Sequence, residues 1–175
     1  MAFIYHAVPK SIVGEYLLPL SEQSQSLKAK SLGKYEDRTD IFSKQVLPLN
    51  CFWPDVIHFS PVEPQKIKAA LFSAGFHWAK KWAWFRVDTD KLKFDRFNST
   101  IYLYSEQEKH QFDSQWSDFQ GVSNENLAKH QSIPAVTIDH YAEAKSGQPL
   151  YTFHRIPQVL FKGPIEIAQL DLIEI

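Results

Sequence analysis

Cysteine is almost absent from this chain: Cys51 is the one thiol in 175 residues. An internal disulfide is therefore excluded, and a reducing compartment is the simplest setting. Glycine is also scarce, at six residues. These glycines are scattered and spell neither G-x-G-x-x-G nor a Walker loop, so the usual phosphate cradles are missing. No G-x-S-x-G elbow occurs. Cys51 lies beside Phe52 and Trp53 with no basic neighbour, and reads as a buried, inert thiol. No apolar run approaches the roughly 20 residues that cross a bilayer. The opening decapeptide has no basic n-region and no long apolar core, so it does not read as a signal peptide. The net charge of −1 and pI near 6.6 give no steering field for nucleic acid or membrane. These absences together point to a cytoplasmic protein.

Metal signatures are missing too. The seven histidines are His6, His58, His77, His110, His130, His140 and His154. No two stand at the i, i+4 spacing of a zinc helix, and there is no cysteine pair. No metal is expected. What the chain has in plenty is aromatic rings: 14% of residues, with five Trp and thirteen Phe. Rings fill cores, and they also line pockets for planar ligands.

The length suits one domain over 1–175, able to bury roughly 70% of its unfolded surface. Residues 2–8 read as a strand, with Phe3, Tyr5 and Ala7 on one face and Ile4 and His6 on the other. Ser11 to Gly14 reads as a short helical turn, and Tyr16 to Leu20 as an extended run. Segments 21–48 and 105–133 read as polar insertions, helical or looped; the first carries Leu27, Leu32, Tyr35, Ile41, Phe42 and Val46 at loosely helical spacing. Residues 55–60 read as a strand. Ser60-Pro61-Val62-Glu63 has capping-box spacing, which predicts a helix starting at Pro61. That helix buries Ile67, Ala70, Leu71 and Ala74 and stops at Gly75. Strands are expected at 82–87, 100–104, 150–154 and 157–162, with a helix from Thr137 to Lys145 before Gly147. Gly163-Pro164 marks a turn, and 165–175 forms a last strand or two. No internal repeat stands out.

Two constellations carry possible chemistry. Residues 77–86 interleave bases and aromatics; they suit either nucleobase stacking or a core strand preceded by a basic turn, and the charge balance favours the latter. The second is a set of polar residues in otherwise apolar strands: Tyr5 and His6, then His58 and Ser60, then His154, Arg155 and Gln158. Each alone suits a satisfied core group, and Ser60 also suits a helix cap. Three such segments point to one cleft, with strands 2–8 and 157–162 as its two walls.

Ile4-Tyr5-His6 with the Gly14-to-Leu18 run, Val56 to Ser60, and Pro157 to Ile165 resemble, in that order, three motifs of ADP-ribosyltransferase-like domains. The resemblance extends to the tRNA 2′-phosphotransferases and the DNA-modifying ADP-ribosyltransferase toxins. It covers about a fifth of the chain. It implies an α+β single domain with a mixed, mostly antiparallel split β-sheet and peripheral helices, and NAD as cofactor. Carried over by position, His6 would hold the NAD ribose, Phe59 and Ser60 would line the nicotinamide pocket, and Gln158 would stand where the family has a catalytic glutamate. Tyr5, His58, His154 and Arg155 would join the cofactor site. Gln158 is a departure, because a neutral amide cannot stabilise developing positive charge as a carboxylate does. Glu166 is the nearby acid, provided the turn at Gly163 folds back. The expected function is NAD or ADP-ribose binding, with or without transfer to nucleic acid or protein. The alternative is a catalytically inactive interaction protein, a toxin- or phage-related accessory.

Overall fold

Alternation of apolar and polar side chains builds two antiparallel sheets that share one core. The computed structural model describes residues 2–9, 12, 14–24, 42–77, 81–104 and 114–175. In chain order its strands are β1 (Phe3–Ala7), β2 (Tyr16–Leu17), β3 (Gln45–Val46), β4 (Cys51–Phe52), β5 (Val56–Phe59), β6 (Ala83–Asp88), β7 (Ser99–Tyr102), β8 (Phe119–Gln120), β9 (Gln158–Lys162), β10 (Ile165–Glu166) and β11 (Asp171–Glu174). Its α-helices are α1 (Pro64–Ser73), α2 (Asn124–Lys129) and α3 (Ala135–Lys145). One sheet runs β1-β6-β11 and the other β5-β9-β7-β8. β2 pairs with β10 and β3 with β4 as short ribbons. Every pair among the described strands is antiparallel. The fold is thus α+β with antiparallel sheets and few helices; the mixed sheet expected from sequence shows no parallel pair among the described residues.

Three apolar layers follow from strand faces. Ile4, Phe85 and Val87 of the first sheet meet Ile57, Phe59, Ile101, Val159 and Phe161 of the second. The far face of the second sheet, with Val56, Tyr102 and Leu160, is covered by Val46, Leu49 and Trp53. The helical layer joins Ile67 and Leu71 of α1 to Tyr141 of α3, with Val62 and Ile156. Trp84 of the first sheet reaches that layer through Phe153, 5.8 Å between ring centroids. Each fully buried aliphatic side chain contributes about 1.5–3 kcal/mol. One backbone bridge ties the two sheets. Tyr5 N–H donates to Ser60 O at 2.9 Å, and Ser60 N–H returns to Tyr5 O at 2.8 Å.

The helix after Ser60 starts later than the capping box predicts. A residue before proline is driven from the helical region. Glu63 precedes Pro64 and is extended at φ −61°, ψ 132°, so the helix begins at Pro64. Ser60 serves a local turn instead, its Oγ accepting from Val62 N–H at 3.0 Å. The far end is as expected. Gly75 has φ 88°. Its N–H bonds Phe72 O at 2.9 Å, and Phe76 N–H bonds Leu71 O at 2.9 Å, a Schellman closure.

Residues 150–154 do not form the expected strand. Two of their carbonyls are taken by α3, Thr137 Oγ1 donating to His154 O at 2.7 Å and the Tyr141 hydroxyl to Thr152 O, and two more by turn N–H groups, His154 N–H to Tyr151 O at 3.0 Å and Ile156 N–H to Phe153 O at 3.2 Å. With these acceptors occupied, no ladder forms, and 152–155 turn. The strands expected at 2–8, 55–60, 82–87, 100–104 and 157–162 fall within two residues of their expected bounds, whereas the extended run from Tyr16 pairs only to Leu17 and β3, β4 and β8 were not expected. The calls on Leu27, Leu32, Tyr35, Ile41, Trp78 and 105–113 lie outside the described residues, as do Ser11 and Val13 of the expected N-terminal turn. The described remainder of 105–133 supplies β8 and α2, the latter capped by Ser123 Oγ accepting from Asn126 N–H at 3.1 Å.

A local device recurs unforeseen. Trp53-Pro54-Asp55 and Trp116-Ser117-Asp118 each form a single 3-10 turn feeding an edge strand of the second sheet. In both, the Asp carboxylate takes the N–H three residues back at 2.8 Å, from Phe52 and Gln115. Among the described residues no helix is long and apolar enough to cross a membrane.

Gly75 gives a direct test. A methyl there meets left-handed strain and Lys145 Cε at 3.2 Å. Gly75→Ala should lower stability by about 1 kcal/mol in urea denaturation. Gly121→Ala, with open space around the added carbon, should change it little.

Candidate functional site

The Tyr5–Ser60 bridge brings β1 to the free edge of β5, and that contact positions the first histidine. His6 shares its face with Ile4 and packs edge-on against Phe59, 5.6 Å between centroids. Its Nδ1 lies 2.7 Å from His58 O. A carbonyl only accepts, so His6 Nδ1 carries a hydrogen. Tyr5 points the other way, toward Arg86 and Glu63; burial first, then Glu63, raises its hydroxyl pKa. Adjacent residues of one strand diverge, so Tyr5 and His6 do not share a pocket wall.

His58 belongs to the outer face of β5. Its ring rests on Trp53, 4.6 Å between centroids. Its Nε2 lies 3.2 Å from Trp53 O and its Nδ1 2.8 Å from Gln158 Oε1. The Gln158 amide nitrogen is 3.0 Å from the Tyr104 hydroxyl. Both ring nitrogens thus face oxygens, an arrangement that suits an imidazolium. Desolvation opposes it and prevails: burial lowers the His58 pKa by more than the Gln158 and Trp53 hydrogen bonds raise it. A neutral ring keeps one hydrogen, and Trp53 O only accepts, so that hydrogen sits on Nε2. Nδ1 then needs a donor. Exchanging the two ends of the Gln158 amide supplies one and leaves oxygen to accept from Tyr104. A carboxylate could not make this exchange, because ionised it only accepts.

The strands at 2–8 and 157–162 are therefore not adjacent walls. β5 stands between them, and its His58 touches both sides: its carbonyl takes His6, its ring takes Gln158. Ser60 is buried and turned onto Val62, its hydroxyl also donating to Val62 O at 3.0 Å. Phe59 is sealed in the core. Arg155 stands at φ 56° with its guanidinium 6.0 Å above the Tyr104 ring. His154 turns away to stack on His140, 4.1 Å between centroids. Glu166 lies at the opposite end of the β9–β10 segment from Gln158, paired with Tyr16 and accepting from Gln169 at 3.2 Å.

Sequence reading missed four members of this cluster. Tyr102 and Tyr104 stack edge to face at 4.9 Å, and Tyr102 meets Trp53 at 5.1 Å. Lys44 lies over both, 4.1 Å from the Tyr102 centroid and 5.2 Å from that of Trp53, and donates to the Tyr102 hydroxyl. Alternation along 99–104 puts Tyr102 and Tyr104 on one face and would have found them. Lys44 carried no such signal. The result is three rings in contact, Trp53 and Tyr102 buried and Tyr104 half-buried, with a cation at each end, Lys44 and Arg155, and the Gln158 amide between. Cations over rings and a central amide suit a ligand with a planar ring and an anionic group.

Among the described residues no group of three His, Cys, Asp or Glu side chains is placed to hold a metal ion. Burial pushes the Cys51 thiol up to about 11, against the pull of Lys162. In segment 77–86, Trp84 and Phe85 are buried, and the half-buried Trp82 packs against the helical layer. Comparison with protein-family models, curated proteins and solved structures finds no match.

The lowered pKa of His58 sets a pH dependence. The unfolded chain takes the His58 proton more readily than the folded one. Stability should be full above the ordinary imidazole value of 6.5 and decline as pH falls from there toward the lower folded value. His130 and His154 are also lowered, chiefly by burial, and act in the same direction. Urea denaturation from pH 8 to 5 should show the decline, and His58→Gln should make it shallower. An equal slope in both proteins contradicts a buried neutral His58.

Proposed function

We propose that this protein binds NAD or ADP-ribose on an ADP-ribosyltransferase-like split-sheet scaffold, in the cytoplasm, and does not transfer the ADP-ribosyl group. The observation that carries this reading is the half-buried Tyr104 ring with Lys44 and Arg155 on either side and Gln158 beside it, backed by the buried rings of Tyr102 and Trp53. An adenine or nicotinamide ring suits the partly exposed face of Tyr104, and a pyrophosphate suits the cations. The same geometry argues against transfer. An oxocarbenium-like transition state needs negative charge beside it. No carboxylate among the described residues hydrogen-bonds Gln158 or His58. The ordered motifs at Ile4–His6, Val56–Ser60 and Pro157–Ile165 support the family assignment.

A second reading has its own observation. His6 packs with Phe59 in the inner layer, whereas Gln158 and the His58 ring lie on the outer face with Trp53. A ligand gripped by His6 and Gln158 together would have to pass around β5. This separation favours a non-catalytic interaction protein, with His6 serving only to tie β1 to β5.

Isothermal titration separates the two. Micromolar binding of ADP-ribose or NAD, about −8 kcal/mol, is expected for the first reading, with no release of nicotinamide. Arg155→Ala should weaken binding about tenfold or more, as loss of a charged contact costs roughly 1.5–3 kcal/mol. Absence of heat with NAD, ADP-ribose and 2′-phosphorylated RNA ends rejects it in favour of the second.

A further inference from the structure

The turn at 151–155 is a strained segment anchored by Phe153 in the helical layer and tied along α3 by side-chain contacts. Arg155 has φ 56°, a left-handed backbone that a residue with a Cβ adopts at a cost. Four contacts from α3 hold the turn against that cost. Thr137 donates to His154 O at 2.7 Å, and Tyr141 donates to Thr152 O. His140 Nε2 accepts from Tyr151 N–H at 3.0 Å. The His140 ring also stacks between Tyr151, at 5.7 Å and 13°, and His154, at 4.1 Å and 23°.

Two of these four contacts fail on protonation. A backbone N–H only donates, so His140 Nε2 must be a lone pair for the Tyr151 contact to exist. A proton on that nitrogen turns acceptor into donor and sets it against Tyr151 N–H. Protonating both rings also puts two positive charges face to face, with the Arg155 guanidinium close by. The charged groups acting on His154 are His140, Arg155 and Glu143; the first two, with burial as the larger influence, disfavour its charged form, and Glu143 on α3 acts the other way. Tyr141, also beside His140 at 6.3 Å, has its hydroxyl pushed up to about 12 by burial and stays neutral throughout.

We infer that the His140–His154 stack is a pH-operated latch that holds turn 151–155 on α3 near neutral pH and releases it in mild acid. Release frees the segment that carries Arg155, whose guanidinium lies over Tyr104, next to Gln158. The latch requires no ligand and stands whatever the fate of the nucleotide-binding reading.

Amide hydrogen exchange reads it directly. The Tyr151 amide should lose about tenfold or more of its protection, corrected for intrinsic exchange, between pH 7.5 and 5.5, corresponding to about one unit of proton linkage. Core amides of β9 report global opening and serve as the reference. In His140→Gln the amide oxygen still accepts from Tyr151 N–H without titrating, so the loss should disappear. In His154→Gln the ring repulsion is gone and the loss should shrink. A Tyr151 amide that tracks the β9 amides across this range in the wild type overturns the proposal, as does an undiminished loss in His140→Gln. The wild-type measurement decides by itself if a variant does not fold.

Discussion

Two reciprocal hydrogen bonds between Tyr5 and Ser60 join what would otherwise be separate sheets. β1 is an edge strand of the first sheet and β5 an edge strand of the second. An unpaired strand edge is costly to bury and hazardous to expose. One bridge answers both edges at the point where they meet. It also fixes everything downstream. It presents His6 to the His58 carbonyl, sends Tyr5 to the opposite face, and ends β5 so that Ser60 can turn onto Val62 and deliver the chain to Pro64.

From that bridge a line of polar groups runs through the protein: His6 to the β5 backbone, the His58 ring to Gln158, Gln158 to Tyr104. Such lines are tolerated inside proteins when every member is satisfied, because a buried donor or acceptor left open costs about 1–3 kcal/mol. Gln158 is well matched to its place. Its amide offers a donor and an acceptor of nearly the same shape, so it can serve His58 neutral or charged by exchanging ends. A glutamate there would repel the lone pair of the neutral ring. The residue that weakens the case for transfer chemistry is thus explained by the neighbour it must satisfy.

The legible parts of the fold were those governed by local chemistry. Alternating side chains marked β1, β5, β6, β7 and β9, and Gly75 marked the end of α1 because few other residues adopt its backbone. The start of α1 was readable too, had the effect of Pro64 on Glu63 been weighed above the spacing of Ser60 and Glu63. The turn at 151–155 was not, because the competing donors are the hydroxyls of Thr137 and Tyr141, on a different element. The site divides in the same manner. His58 and Gln158 stood out as polar residues in apolar strands, and they do meet. That β5 lies between β1 and β9, and that Lys44 folds over Tyr102, depend on pairings between distant segments that no local pattern encodes.

The half-buried Tyr104 ring, with Lys44 and Arg155 on either side, is the surface on which a ligand would report. Side-chain chemical shifts of Gln158 and His58, followed while ADP-ribose is titrated into labelled protein, test the central claim most directly. Saturable shifts at Gln158, His58 and the Tyr104 ring are predicted. Saturable shifts confined to the open depression of about 370 Å³ beside Tyr16, Lys91 and Lys93 would contradict it.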